Sequence, residues 1–326
     1  MPQVPITFAC GLYDRMLALY TGEVKPDGVD LNFLAIDDPR QIFDRMGRNL
    51  EFDASEMSSS EVISRHAAGR KEMVALPVFP SRVFRHGFIT VNRKAVKKPK
   101  DLEGKRIGTP LYTQTAAVFI RGMLQDEYGV DLSGVHWVQG ATNSAQSHGN
   151  SAAPPVLKPI SIEQNGSGRS LSELLASGEI QAIIGSGLPD TLRRSPDVQR
   201  LFPDFHAVEL DYFRRTRIFP IMHLVAVRRD VYEQRPFVAT SLYKAMTEAK
   251  DVALRKMRET GTLRYMLPGM TAELEEIDDV FGGDPWPYGI EPNRPTLEAL
   301  VRYMVEQSLI GAPIPVEELF VPIYGQ

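Results

Sequence analysis

Apolar and polar residues alternate with period two from Pro5 to Phe8, which predicts a strand; Cys10-Gly11-Leu12-Tyr13-Asp14 then turns the chain into a helical stretch carrying Met16, Leu17 and Tyr20. A Pro26-Asp27-Gly28 turn introduces Val29, Leu31 and Phe33, again two apart, followed by a helix near Pro39 to Arg48 and a short strand over Phe52 to Ala54. Ser58 and Glu61 have the spacing of a capping box, in which two side chains satisfy the free N–H groups of a helix start, so another helix begins just beyond that strand. The alternation resumes after KAVKKPKDLEGKRIGTP, a basic connector near Lys94 leading into a strand that ends at Gly108. Ala116, Ile120, Met123 and Leu124 share one helical face, and Gly129 stops that helix. LSELLASGEIQAIIG gives a further helix, turn and strand, and the chain is mostly helical from about Val238. Thr142 to Arg169 breaks the pattern: rich in Ser, Asn, Gly and Pro, it reads as a long irregular surface loop, an insertion or a lid. Strands alternating with helices at this spacing predict mainly parallel sheets covered on both faces, hence an α/β fold.

The 326 residues, 43% of them hydrophobic, suffice for a sizeable core and for two domains. With 37 basic and 41 acidic side chains the formal charge is −4, which gives no general attraction to nucleic acid or an anionic membrane. The first residues lack the basic, apolar and small-residue succession of a signal peptide, and no stretch approaches the roughly 18 apolar residues of a membrane span, so the chain reads as cytoplasmic. Cys10 is the only cysteine, which excludes an intrachain disulfide and a thiolate zinc cluster and leaves a small buried hydrophobe.

DLEGKRIGTP followed by a helix resembles the lobe-crossing element of type 2 periplasmic solute-binding proteins, and GEIQAIIG resembles a later strand of the same lobe. Together with DASEMSSSEVI, FPSRVFRHGFITVNR, RRTRIFPIMHLVAVRRD and DPWPYGIEPNRPTLEAL, these stretches resemble the 4,5-dihydroxyphthalate decarboxylase family along nearly the whole chain. The resemblance implies a two-lobed, type 2 periplasmic-binding-protein-like α/β fold with two strands crossing between lobes, for which HGFITVNR and MHLVAVRR are the candidates. Lobe one would comprise residues 1–90 and 222–326, and lobe two residues 91–221. It also implies a non-oxidative decarboxylase of a hydroxylated aromatic dicarboxylate; a solute-binding protein for a small carboxylate, or an enzyme making a cofactor precursor, would share the scaffold. In GSGLPD, Ser186-Gly187 stands where the family pattern leads one to expect a basic element, and QSHGNSAAPPVLKP also departs from that pattern, which leaves the substrate open.

Strand-to-helix junctions of α/β folds expose unpaired N–H groups, so Tyr112, Thr113, Gln114 and Thr115 at one junction, and Ser58 and Ser59 at another, either cap helices or also hold an anion. Arg82 and Arg85 can each grip a carboxylate with two parallel hydrogen bonds. Replacing a ring carboxylate by hydrogen needs a proton donor; His86 and His223, on the two proposed crossing strands, are the candidates, ahead of the peripheral His66, His136 and His206 and of His148 in the irregular loop. Glu56 and Asp14 follow short strands and would accept phenolic hydrogens, hold a metal, orient an arginine or cap a helix. Tyr13, Phe79, Tyr112 and Phe219 are either flat walls for a ring or plain core. Tyr288, Asn293 and Arg294 either close the pocket or fasten the C-terminal helices. No cofactor is predicted: there is no G-x-G-x-x-G after a strand, P-loop, H-E-x-x-H or G-x-S-x-G, and no sign of a pyridoxal lysine or flavin, although a divalent ion held by distant segments stays compatible. The expected partner is a small aromatic carboxylate, with no nucleic acid and no membrane; a homo-oligomer is compatible with the sequence.

Overall fold

The computed structural model describes residues 3–145, 148–149 and 152–324. The chain first forms β1 (Val4–Cys10), α1 (Asp14–Tyr20), β2 (Val29–Ala35), α2 (Pro39–Asn49), β3 (Ala54–Ser58), α3 (Ser59–Ala67) and β4 (Met73–Arg82). It then builds β5 (Thr90–Asn92), β6 (Arg106–Thr109), α4 (Thr115–Tyr128), β7 (His136–Gln139), β8 (Ile162–Gln164), α5 (Leu171–Ser177), β9 (Ala182–Ile183), β10 (Val198–Arg200) and α6 (Phe205–Thr216). It returns through β11 (Ile221–Arg228), α7 (Arg229–Gln234), α8 (Phe237–Met257), α9 (Met270–Phe281), α10 (Arg294–Glu306) and α11 (Val316–Leu319). Among the described residues no helix is long and apolar enough to cross a membrane.

Two sheets result, one ordered β2-β1-β3-β11-β4 and the other β10-β5-β9-β6-β7-β8. In the first, β1 runs parallel to β2 and β3, whereas β11 is antiparallel to both β3 and β4. All five residues of β3 are buried, as a central strand covered on both faces requires. The chain passes between the sheets at Val83–Ile89 and again at Arg217–Pro220, and the passages lie side by side, with the Val83 N–H donating to the Pro220 carbonyl at 3.1 Å. The expected segments meet these crossings only in part: His86–Ile89 of HGFITVNR lies in the first, and MHLVAVRR begins just after the second. HGFITVNR makes a 3-10 turn at His86–Phe88 and then β5 of the second sheet, and MHLVAVRR lies in the first sheet as β11. The physical reason is the pairing of Ile221 with Arg82, which uses the ends of both strands for the ladder and leaves the crossings to the irregular residues beyond.

The sequence gives α4 one apolar face, yet every residue from Thr115 to Leu124 is buried. The other face is covered by α10: a β-carbon on Gly122 would lie 2.2 Å from the Tyr303 ring, so only glycine lets the two helices approach this closely. Gly129 ends α4 in the left-handed conformation, φ 60°, as expected of a C-terminal stop. Thr142–Arg169 is irregular but not detached: it supplies β8, parallel to β7, and the Leu157 N–H donates to the Ser308 carbonyl at 2.7 Å. Residues 146–147 and 150–151 of that stretch lie outside the described residues.

Candidate active site

Because β1 and β3 run parallel and β11 enters from the opposite direction, the C-terminal ends of the first two and the start of the third share one edge of the sheet, where ligands of open α/β folds bind. The N-termini of α3 and α4, from the two sheets, meet at this edge. Ser58 Oγ lies 3.0 Å from Thr115 Oγ1, the Ser60 N–H donates to Thr115 Oγ1 at 3.0 Å, and the Ser60 hydroxyl donates to the Thr113 carbonyl at 2.8 Å. Ser58 is the N-cap residue of α3, but its side chain does not cap the helix, so the expected Ser58–Glu61 capping box does not form. Its hydroxyl ties the halves together instead. A cavity of about 310 Å³ opens here.

Its walls come from five parts of the chain. Asp38, Arg40, Phe43 and Ser58 belong to the first half; Leu111, Thr113, Gln114, Thr115 and Ser186 to the second; Arg85 to the first crossing; and Met222 and His223 to the start of β11, with His148 from the irregular stretch. A larger depression of about 850 Å³ near Arg193, Arg194 and Arg200 is lined by none of the side chains singled out in the sequence.

His223 and Glu56 form a hydrogen-bonded pair at the cavity. Glu56 and Ser58 share a face of β3 because they are two apart, and Ser58 is the register partner of His223, so the Glu56 carboxylate reaches the imidazole diagonally. His223 Nδ1 lies 2.5 Å from Glu56 Oε1; the ring meets Phe43 edge-on at 4.9 Å and lines the cavity, leaving Nε2 for a ligand. Glu56 is fully buried, and its Oε1 also accepts the Tyr13 hydroxyl at 2.7 Å while Oε2 accepts the Gly11 N–H at 3.1 Å. Burial pushes the carboxyl up, but the His223 ring, the Gly11 N–H and the Tyr13 hydroxyl outweigh it and hold the group below its ordinary value. Glu56 is thus the anionic support of His223 and does not line the cavity, which corrects its expected role as an acceptor of ligand phenols.

Arg85 is 4% exposed; its Nε donates to Met222 Sδ at 3.2 Å and its guanidinium lies 4.8 Å from the centre of the Phe88 ring. It makes no ion pair with a carboxylate among the described residues, and burial depresses its pKa to about 9, so the group is still cationic near neutrality. Arg40, by contrast, is neutralised by Asp44 at 2.7 Å and Glu61 at 3.7 Å.

Several expected residues lie elsewhere. Arg82, 5% exposed, donates to Asn293 Oδ1 at 2.6 Å and the Phe219 carbonyl at 3.3 Å: it ends β4 outside the cavity lining and fastens the C-terminal segment to the second crossing. Tyr13 is a donor to Glu56, not a wall, and Asp14 pairs with Arg15 at 3.0 Å. Phe219 stacks on Phe84 at 4.4 Å, Phe79 is core, and Tyr112 carries the Arg121 guanidinium 3.7 Å from its ring centre. Ser59 is buried and does not line the cavity, and Tyr288, also buried, lines a different hollow beside Pro77 and Tyr243. Arg294 pairs at the surface with Glu291 and Glu317, both at 2.6 Å. Among the described residues no group of three or more His, Cys, Asp or Glu side chains is arranged to hold a metal ion.

His86 is also removed from the site. Its ring is boxed by Tyr128, Phe202 and Tyr212 at 6.1, 5.3 and 5.2 Å, with neither nitrogen hydrogen-bonded among the described residues. Burial, and then Arg215, lower its pKa from 6.5 to about 4. The unfolded chain therefore binds more protons than the folded one between these values, so stability is complete above the unfolded pKa and is lost as the pH falls toward the folded one. Denaturant unfolding at pH 4.5 should show a loss of about 2–3 kcal/mol from this residue, which His86→Phe removes. Equal acid sensitivity in the variant would refute that assignment.

Asp38, Arg40, Phe43, Leu111 and Met222 also line the cavity without being candidates from sequence, as does His148, there a loop residue. A signal for the first group was present: Asp38 caps α2, accepting the Arg40 N–H at 3.0 Å, at the end of a strand expected in the same sheet. His148 had none. Burial and then Arg40 lower its pKa, against Asp38 and Asp44.

A cavity between helix N-termini of two α/β halves joined by paired crossings defines the class of two-lobed periplasmic-binding-protein-like proteins. The structure superimposes on the aliphatic sulphonate-binding protein SsuA of Escherichia coli with a TM-score of 0.54 and 10% identity, covering 98% of each chain. It matches the alkanesulfonate-binding SsuA of Xanthomonas axonopodis with a TM-score of 0.52 and 10% identity over 98% of this chain and 99% of the other. The NMT1/THI5 like family model matches residues 50–157. At the level of sequence, the chain is 35% identical to a 4,5-dihydroxyphthalate decarboxylase of Comamonas testosteroni over 99% of its own length and 98% of the other. It is 36% identical to that of Pseudomonas putida over 66% and 83% of the two chains. The chain belongs to the 4,5-dihydroxyphthalate decarboxylase family, a family of carboxy-lyases.

Proposed function

We propose that this protein removes one carboxylate, as carbon dioxide, from a hydroxylated aromatic dicarboxylate such as 4,5-dihydroxyphthalate. The observation that carries the reading is a carboxylate-backed imidazole, His223 with Glu56, facing the same cavity as a buried arginine, Arg85, that makes no direct ion pair among the described residues and feels only the more distant charge of Glu209. In this reading Arg85 and the hydroxyl and N–H donors around Ser58 and Thr115 hold one carboxylate as a handle. Protonated His223 delivers its proton from Nε2 to the ring carbon bearing the second carboxylate. The carbon–carbon bond then breaks, its electron pair restores the aromatic ring, and carbon dioxide departs. A hydroxyl para to that carbon supplies electron density to the protonated ring; the Glu56 carboxylate stabilises the imidazolium before transfer, and solvent then reprotonates the neutral imidazole ring.

Purified protein incubated with 4,5-dihydroxyphthalate should release carbon dioxide and 3,4-dihydroxybenzoate in equal amounts. Absence of turnover with this compound and with related hydroxybenzoates, with and without added divalent metal, would retire the proposal; tight binding without product would assign the protein to solute capture.

A further inference from the structure

Two carboxylate oxygens of Glu56 receive four donors, and one of them, the Tyr13 hydroxyl, shares its oxygen with the histidine. The Tyr13 hydroxyl lies 2.7 Å from Oε1, the same oxygen that meets His223 Nδ1 at 2.5 Å, while Oε2 takes the Gly11 N–H and, at 3.4 Å, Cys10 Sγ. The turn after β1 is shaped to deliver this hydroxyl. A β-carbon on Gly11 would stand 2.7 Å from Tyr13 Cζ and 2.9 Å from its oxygen, so the ring can lie across residue 11 only because that residue has no side chain. From the other side Arg15 covers the ring at 4.4 Å, itself held by the Pro80 carbonyl at 2.6 Å and the Trp286 ring at 4.4 Å. Tyr13 does not line the cavity.

We propose that Tyr13 is a positioning residue that holds Glu56 Oε1 and so sets the orientation and the acidity of the His223 imidazolium, an inference that rests on His223 being the proton donor. A carboxylate oxygen shared between two donors bonds each less strongly than one serving a single donor. With Tyr13 present, Glu56 steadies the imidazolium without retaining its proton; without it, Glu56 holds that proton harder. Burial, and then the charge of Glu56, push the Tyr13 hydroxyl far above its ordinary pKa, so it stays a donor throughout the working range. The other groups facing this pair are Cys10 and Arg15 behind it, Asp38 and Arg40 from α2, Arg85 from the first crossing and His148 across the cavity, and none of them is changed by removing one phenolic oxygen.

The test is Tyr13→Phe, read in two ways. In the ligand-free protein, NMR titration of the His223 ring should show its midpoint displaced upward by about half a pH unit or more. With 4,5-dihydroxyphthalate, kcat should fall about tenfold at the plateau, KM should stay within about twofold, and the alkaline limb of the kcat profile should move up with the titration midpoint. An unmoved midpoint in a variant that keeps the wild-type thermal midpoint overturns the inference, even if turnover falls. Should the wild type itself fail to turn over, the proposed reaction fails, but the NMR titration still decides whether Tyr13 governs His223. If Tyr13→Phe does not fold, Gly11→Ala, which displaces the same ring, must show the same upward displacement, and no displacement there counts against the proposal.

Discussion

Replacing His223 by Gln should lower kcat by about three orders of magnitude, equivalent to about 4 kcal/mol in the barrier, while KM changes little. Gln keeps much of the volume beside Phe43, which meets the imidazole edge-on at 4.9 Å, and can still hydrogen-bond to Glu56, so the cavity wall should survive. What it lacks is a proton that can be released to carbon near neutral pH. The cavity holds one other imidazole, His148, on the irregular stretch; burial followed by the nearby Arg40 disfavours its protonated form, so it is a poor substitute. Steady-state release of carbon dioxide together with a thermal midpoint decides the matter. A drop in kcat matched by a large loss of stability would make His223 a structural residue, and a kcat within tenfold of wild type would move the proton donor elsewhere.

The sequence made the scaffold legible because strands, helix stops and turn glycines leave local marks. The helix α4 and its stop at Gly129, and the turn-linked helix and strand of LSELLASGEIQAIIG, follow from residues within a few positions of one another. The cavity lining was legible only where it coincides with such a mark: Ser58, Thr113, Gln114 and Thr115 sit at helix starts, Arg85 lies in one crossing and His223 just beyond the other. Where two residues of one type compete, local pattern cannot choose between them. Arg82 and Arg85 are three apart, but the chain leaves β4 at Arg82 and turns before Arg85, so one meets Asn293 and the other the cavity. His86 lies in one crossing and His223 just beyond the other, yet one falls in an aromatic box and the other opposite Glu56. Ser58 illustrates the limit in another way. Its spacing to Glu61 is that of a capping box, but a hydroxyl 3.0 Å away on Thr115, 57 residues along the chain, takes the hydrogen bond, whereas at Ser170 and Glu173 no such competitor intervenes and the box forms.

Replacing Arg85 by Met should reduce kcat/KM by about 30-fold to several thousand-fold, the range for removing one partner of a buried, hydrogen-bonded charge pair, with the loss falling mainly in KM. The same change should leave the ligand-free protein as stable as the wild type or more so. A guanidinium that is 4% exposed, with Met222 Sδ as its hydrogen-bond partner and the Phe88 ring as its neighbour, is poorly compensated for the water it has lost, and burial lowers its pKa to about 9 against the smaller opposing pull of Glu209. An anionic ligand supplies that compensation, so the free energy stored in the empty site becomes affinity when the site is filled. Met fills most of the volume of the arginine stem without carrying the charge into the interior. Lys is not an adequate replacement, because a single ammonium cannot reproduce two parallel hydrogen bonds to a carboxylate. Thermal unfolding with and without a non-reacting aromatic dicarboxylate gives both quantities at once: the wild type should gain stability on ligand addition, and Arg85→Met should begin at or above the wild-type midpoint and gain nothing. A variant that is less stable when empty and is still stabilised by the ligand would show that Arg85 belongs to the framework, and that the carboxylate is held by the helix-end donors around Thr115 without it.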